Sequence, residues 1–243
     1  MYKSNVEHPA GSLLWPPLVQ GTLIKRYKRF LADVRLEDGS VVTAHCPNSG
    51  SMTTCSTKGR PVYLSRSANP DRKLAYTWEL IDMGPSLVGV NTNVPNRLVK
   101  AACMAQVIPE LAGYEEVRSE VKINPRSRLD LLLSDPLKGR CYVEIKNCTL
   151  VADGQAKFPD AVTSRGLKHL GELRKLLRDA NRCVMFYLIQ RMDAETFSPA
   201  DHIDSAYGKE LRQAVDDGVE IIVYDVNITL LSIGIGKKVA CQL

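Results

Sequence analysis

No stretch of this chain is apolar for long enough to cross a bilayer as a helix. The longest runs, such as 184–189, fall far short of the roughly 20 residues a span needs. No membrane partner is expected. Residues 1–12 are polar and lack the apolar core of a secretion signal. Also missing is any Cys-x-x-Cys pair. The seven cysteines, Cys46, Cys55, Cys103, Cys141, Cys148, Cys183 and Cys241, show no zinc spacing. An odd, scattered set without a signal reads as reduced thiols in a cytoplasm, most of them small buried apolar residues. Internal repeats, low-complexity segments and a helix-turn-helix signature are absent too, which counts against sequence-specific operator binding. Charge of one sign is barely in excess: 32 Lys and Arg against 27 Asp and Glu give a net +5. That permits a polyanionic partner without requiring one.

What is present is ordinary globular composition, 44% hydrophobic and 24% charged over 243 residues, enough for one large domain or two smaller ones. Up to position 93 the chain reads as short strands, at 18–27, 31–37, 40–45, 61–67, 73–83 and 86–90. In the second of these Leu31, Val34 and Leu36 fall between polar residues. Asp38-Gly39 is a hairpin turn signal, since Gly takes positive φ without strain. Gly84-Pro85 separates the last two strands. Short strands with tight turns predict a small β-barrel. An OB-fold is the kind expected; the pattern also admits an SH3-like barrel.

After Pro95 the period changes. Leu98, Ala101, Ala102, Ala105, Val107 and Ile108 follow helical spacing to about 111–113, with Asn93 or Asn96 as cap. Strands follow at 117–123, 128–133 and 141–145. A helix at 163–179 carries the stripe Leu167, Leu170, Leu173 and Leu177. Next come a buried strand at 183–190, a helix at 207–217 stopped by Gly218, and a strand at 219–226. This order predicts an α/β sandwich around a mixed sheet. The expected division is residues 1–93 and 94–243.

The chemistry-bearing residues lie on two of these strands. Arg128-Leu129-Asp130 is on one, and Glu144-Ile145-Lys146 on the next, across a polar turn at 134–139. Residues two apart on a strand share a face, so Glu144 and Lys146 point together, and the hairpin can set Asp130 beside them. Two carboxylates there repel unless a cation lies between, and all-oxygen ligands select Mg²⁺ or Mn²⁺. Lys146 then has a role in orienting the attacking water and helping to deprotonate it. An E-x-K triplet is common by chance, and Glu120-Val121-Lys122 is a second copy. Only the first follows an Asp-bearing strand with the apolar run 131–133 beside it.

Taken together, several segments resemble the sugar fermentation stimulation protein A family. They are HCPNSGSM at 45–52, NTNVPNR at 91–97, SRLD at 127–130, VEIKNCTL at 143–150 and FPDAVTSRGLKHL at 158–170. They run in order over nearly the whole chain. Leu129, Cys148 and Ser164 depart from the Ile or Phe, Val and Glu expected there, and none removes a proposed ligand. The resemblance implies an N-terminal OB-like domain and a C-terminal domain of the PD-(D/E)XK nuclease fold. It also implies DNA binding and a regulatory link to the use of sugars, maltose in particular. The nuclease motif falls on Asp130, Glu144 and Lys146, with Asp130 and Glu144 as metal ligands. Many proteins of that fold add an acidic residue on the first helix, where this chain offers only Glu110, at the end.

Nucleic-acid contacts are expected at several places. The run Lys25, Arg26, Tyr27, Lys28, Arg29 interleaves cations with an aromatic, as single-strand surfaces do; as a plain hairpin turn it would be solvated instead. The loop at Asn48 and Ser49 is small enough for its amides to approach a phosphate. Arg97 opens the first helix, Arg128 precedes Asp130, and Arg165, Lys168 and His169 share one helix face with Glu172. Three functions compete: a Mg²⁺- or Mn²⁺-dependent nuclease, a non-catalytic DNA-binding regulator of maltose use, and an interaction protein whose cations serve solubility. The complete Asp130, Glu144, Lys146 set favours the nuclease, because a pure binder has no use for two carboxylates facing phosphates.

Overall fold

A computed structural model of the chain describes residues 8–243. Positions 1–7 of the polar opening stretch lie outside the described residues. The first strand, β1 (Leu13–Leu14), pairs antiparallel near the other end of the chain, Leu13 opposite Ile233. It therefore extends the C-terminal sheet, although it lies in the half read as barrel.

The barrel comprises β2 (Leu18–Tyr27), β3 (Leu31–Leu36), β4 (Val41–His45), β5 (Pro61–Arg66) and β6 (Tyr76–Asp82), with β7 (Leu87–Gly89) added beside β6. It closes where β4 pairs parallel with β6, Ala44 opposite Tyr76 and His45 opposite Thr77. Closure removes the open edges that a sheet this small would otherwise expose. The Asp38-Gly39 turn forms as expected: Gly39 has φ 82, and Asp38 Oδ1 accepts from the Ser40 amide at 2.9 Å. In β3 the buried positions are Ala32 and Val34, so Ala32 takes the inward place that Leu31 was expected to hold. These residues join Leu23, Leu64, Trp78 and Ile81 in the barrel core.

The second half begins with α1 (Val94–Met104), followed by a 3-10 turn at Pro109–Leu111. Then come β8 (Glu116–Asn124), β9 (Ser127–Asp135), β10 (Gly139–Cys148), β11 (Leu150–Ala152), β12 (Gln155–Phe158), α2 (Ser164–Leu177), β13 (Arg182–Ile189), β14 (Thr196–Pro199), α3 (Ser205–Asp216), β15 (Glu220–Ile228), β16 (Ser232–Lys238) and β17 (Ala240–Cys241). The main sheet runs β1-β16-β15-β13-β10-β9-β8. β10, β13 and β15 are parallel to one another, and the outer pairings are antiparallel. α1 packs Leu98, Val99 and Ala102 on one face against Val143, Ile145 and Phe186. α2 and α3 pack Leu170, Leu173 and Leu211 on the other against Met185 and Tyr187. This is the expected OB-like barrel followed by a nuclease-like α/β sandwich with a mixed sheet.

Three expectations need correction. The first helix stops at Met104, seven residues before Leu111, because Gln106 takes a left-handed conformation (φ 58) and Pro109 follows. Asn93 is its N-cap by position, yet neither Asn93 nor Asn96 makes a side-chain cap bond. A second sheet, β11-β12-β14-β17, was not foreseen; its strands are only two to four residues long, too short for periodicity to show. Among the described residues no helix is long and apolar enough to cross a membrane.

Candidate metal and nucleic-acid site

The ladder between β9 and β10 ends at Leu131 opposite Val143. At the next position Asp130 replaces the strand bond with its side chain. Its Oδ2 accepts the Ile145 amide at 2.8 Å, and its Oδ1 accepts from Asn96 Nδ2 of α1 at 2.7 Å. On the other side, β8 pairs Ser119 with Leu131 and Val121 with Leu129, with no partnered residue between them, and Glu120 has φ 55. Face alternation slips here as well. Leu129 packs with the α2 side, whereas Leu131 packs with the α1 side. The irregularity of both neighbouring ladders is what frees the Asp130 carboxyl from ordinary strand geometry.

Glu144 lies in the buried middle of β10. Its Oε1 takes Lys146 Nζ at 2.6 Å and, from α2, His169 Nδ1; Lys146 Nζ lies 3.4 Å from the same ring nitrogen. Glu144 Oε2 is buried and has no hydrogen-bond partner. Burial pushes Asp130 up to about 6, with the neighbouring Glu144 charge adding to it, against the pull of the Ile145 amide, Lys146 and Asn96. Burial also opposes ionisation of Glu144, but Lys146 and His169 outweigh it and hold that carboxyl below its usual range. An orphaned carboxylate oxygen beside a second, electrostatically strained carboxylate fits a hard cation. Among the described residues no group of three or more His, Cys, Asp and Glu is arranged to hold a metal ion, so only Asp130 and Glu144 are offered as ligands here. Glu110 is remote in its bonding, tied to Lys238 at 2.6 Å and Tyr224 at 2.9 Å.

Asp130, Glu144 and Lys146 are therefore gathered as the sequence reading expected. His169, expected among the nucleic-acid contacts on one face of its helix, is buried against the Glu144 carboxylate. Its exposure is 5%. Arg128, Arg165 and Lys168 do share one groove with His169, lined also by Lys122, Arg126 and Ser127. Arg97 is exposed on the first turn of α1.

The barrel residues divide. Arg26 is turned inward: Nη2 donates to the Asn48 carbonyl at 2.8 Å and the Gly50 carbonyl at 2.9 Å, Nη1 to Ser51 at 3.0 Å, and Nε to Arg29 at 3.0 Å. It shapes the 48–51 loop. Asn48 is likewise spent, donating to the Val90 carbonyl at 3.0 Å and accepting from the Gly50 amide at 2.8 Å. Tyr27 donates to Asp33 at 3.1 Å, and Lys25 lies 5.0 Å over its ring, so that ring face is covered. Lys28, Arg29 and Ser49 remain exposed. Arg29, Asn48 and Ser49 line a cavity of about 320 Å³ against Pro159, Asp160 and Thr163 of the second half. Asp160 joins the halves through the Met52 amide at 3.1 Å. Asn96, Ser127 and Asp160 were missed as site residues; all three lie inside the segments that carry the family resemblance.

The fold and site define a class: an OB-like barrel ahead of a nuclease-like α/β domain. Residues 24–90 match the family model of the SfsA N-terminal OB domain, and residues 93–231 that of the sugar fermentation stimulation protein RE domain. The sugar fermentation stimulation protein homolog of Pelobacter propionicus is 57% identical over 209 residues, 86% of this chain and 90% of that one. The homolog of Geobacter sulfurreducens is 55% identical over 213 residues, covering 88% and 91%. The chain belongs to the sugar fermentation stimulation protein family. Among solved structures, Pyrococcus furiosus SfsA in complex with Ca²⁺ superposes with a TM-score of 0.87 at 24% identity, over 95% of this chain and 98% of that one, which shows a shared fold.

Proposed function

We propose that this protein binds nucleic acid, DNA in the first place, and cleaves its phosphodiesters with Mg²⁺ or Mn²⁺ held by Asp130 and Glu144. The observation that carries this reading is the buried, unpartnered Glu144 Oε2 next to Asp130, in a site that also holds a lysine. When bound, the cation supplies positive charge against the phosphate oxygens as the bond breaks. Lys146 is placed to orient water and move its proton. His169 and Lys146 fix one oxygen of Glu144 and leave the other available. Asn96 and the Ile145 amide hold the Asp130 carboxyl in one orientation. Arg128, Arg165 and Lys168 carry the strand to this centre, and Lys28, Arg29 and Ser49 extend the track onto the barrel. The Ca²⁺ named with the Pyrococcus furiosus relative supports a divalent site of this kind. Free, buried thiols suit a reducing compartment, and we place the activity in the cytoplasm.

One observation favours a second reading. Lys146 already balances the charge of Glu144 without a cation, and His169 contacts the same oxygen. A non-catalytic DNA-binding regulator of sugar use could keep such a closed pair. Incubating the purified protein with single- and double-stranded DNA and RNA, with and without Mn²⁺, separates the two: the nuclease cuts, and the regulator only binds.

A further inference from the structure

The groove beside the carboxylates has a charge out of proportion to its size. Lys122 of β8, Arg126 of the β8–β9 turn, Arg128 of β9, and Arg165 and Lys168 of α2 converge on one cavity of about 550 Å³, with Glu120 the only acid lining it among the described residues. Among the described residues none of these five cations forms an ion pair, whereas Arg174, Arg182, Arg191, Arg212 and Lys238 all do. Gathering like charges without counter-charges is unfavourable for the free protein and becomes favourable only when an anion arrives. Lys168 is held in place, since its Nζ donates to the Arg126 carbonyl at 2.7 Å.

A second, independent observation marks the same place. Ser127 lines this cavity, is 6% exposed, and its Oγ is buried with no hydrogen-bond partner. A buried hydroxyl left unmatched costs stability, and a rotatable donor among cations is what a phosphate oxygen accepts from.

We propose that this cavity is a phosphate seat for a group carrying two adjacent negative charges on the strand being cut. Its source is either a terminal phosphomonoester or two successive phosphodiesters. One such charge would leave most of the five cations unmatched; a phosphomonoester brings about −1.5 to −2 near neutral pH. His169 lines the cavity and contacts Glu144, so the seat adjoins the carboxylates directly. The seat thus fixes the strand relative to the bond to be broken, and this extension rests on the nucleic-acid reading above.

The test is binding without metal, so that cleavage does not intrude. Pyrophosphate titrated calorimetrically into the wild-type protein in chelator should bind. Lys122→Gln/Arg165→Gln should weaken it on the order of tenfold or more, as loss of charge-assisted bonds does. Ser127→Ala should weaken it several-fold while leaving thermal stability unchanged or raised, since the hydroxyl it removes has no partner. Arg178→Gln, a charge removed elsewhere, should change nothing. If either seat variant binds pyrophosphate as tightly as wild type, the proposal is overturned.

Short single strands bearing a 5′-phosphate, a 3′-phosphate or neither then identify the source. Preference for a phosphorylated end that disappears in Ser127→Ala assigns a terminal group. Equal affinity for all three, lowered in both variants with a salt slope reduced by about 1 per cation removed, assigns successive diesters. Pyrophosphate binding with no DNA or RNA bound keeps the seat and overturns the nucleic-acid reading. Full strand affinity in the double variant does the reverse.

Discussion

Asp130 Oδ2 accepts the Ile145 amide at 2.8 Å where the β9–β10 ladder would otherwise continue. The proposed metal ligand is thus also a piece of the sheet, and its removal has two separable effects. Asp130→Ala leaves both the Ile145 amide and Asn96 Nδ2 without an acceptor, at about 1–3 kcal/mol for each that stays buried. Asp130→Asn keeps one acceptor oxygen for the Ile145 amide and turns its NH2 to Asn96, whose side-chain amide can flip to accept it; it retains more of that stability than Ala, yet loses the charge a cation needs. Urea unfolding of the two variants should therefore differ by a measurable margin, while metal binding is lost in both. Equal stability of the two would mean that the side-chain bond contributes little.

Lys146 and Glu144 make a second prediction. Lys146→Ala leaves a buried carboxylate with only His169 beside it, which destabilises the free protein; breaking buried pairs costs about 3–5 kcal/mol where no other partner remains. A cation binding at the orphaned oxygen offsets that loss. The rise in melting temperature on adding Mn²⁺ should be larger for Lys146→Ala than for wild type, while its cleavage rate falls on the order of a hundredfold. A smaller rise would place the cation away from Glu144.

Gly50 and Asp160 couple the halves. A Cβ at Gly50 would run into the Asp160 carboxylate, which holds the Met52 amide. Gly50→Ala and Asp160→Ala should each destabilise the protein. The double variant should lose less than the sum, because the clash vanishes with the carboxylate. Additive losses in a double-mutant cycle would show that the two positions act apart.

The thiols give a simple count. Six of the seven cysteines are buried and only Cys241 is exposed. Burial pushes Cys55, Cys103, Cys141 and Cys183 up to about 12. A thiol reagent at neutral pH should label about one cysteine quickly in the native protein and the rest on unfolding. Fast labelling of several would contradict the packing.

How much of this could be read beforehand follows from the length scale of each signal. The long amphipathic α2 and the buried β13 announce themselves by period, and the Asp38-Gly39 turn by its chemistry. Asp130, Glu144 and Lys146 were legible because a hairpin brings neighbouring strands together by necessity. The burial of His169 was not legible, because Glu144, the partner that buries it, lies on another element. Arg26 looked like a phosphate ligand for the same reason: the carbonyls of 48, 50 and 51 that engage it come from a distant loop. Ser127 lies in the SRLD segment that carries the family resemblance, but only the geometry shows its hydroxyl to be without a partner.

The central claim is a cation-dependent cut made by Asp130 and Glu144. The most direct measurement is cleavage of end-labelled DNA and RNA, single- and double-stranded, by wild type, Asp130→Asn and Glu144→Gln in saturating Mn²⁺ and in chelator. The account predicts products from wild type with Mn²⁺ alone, and none from either variant although both still bind the strands. No cleavage by wild type on any substrate, or cleavage that survives in both variants, would contradict it.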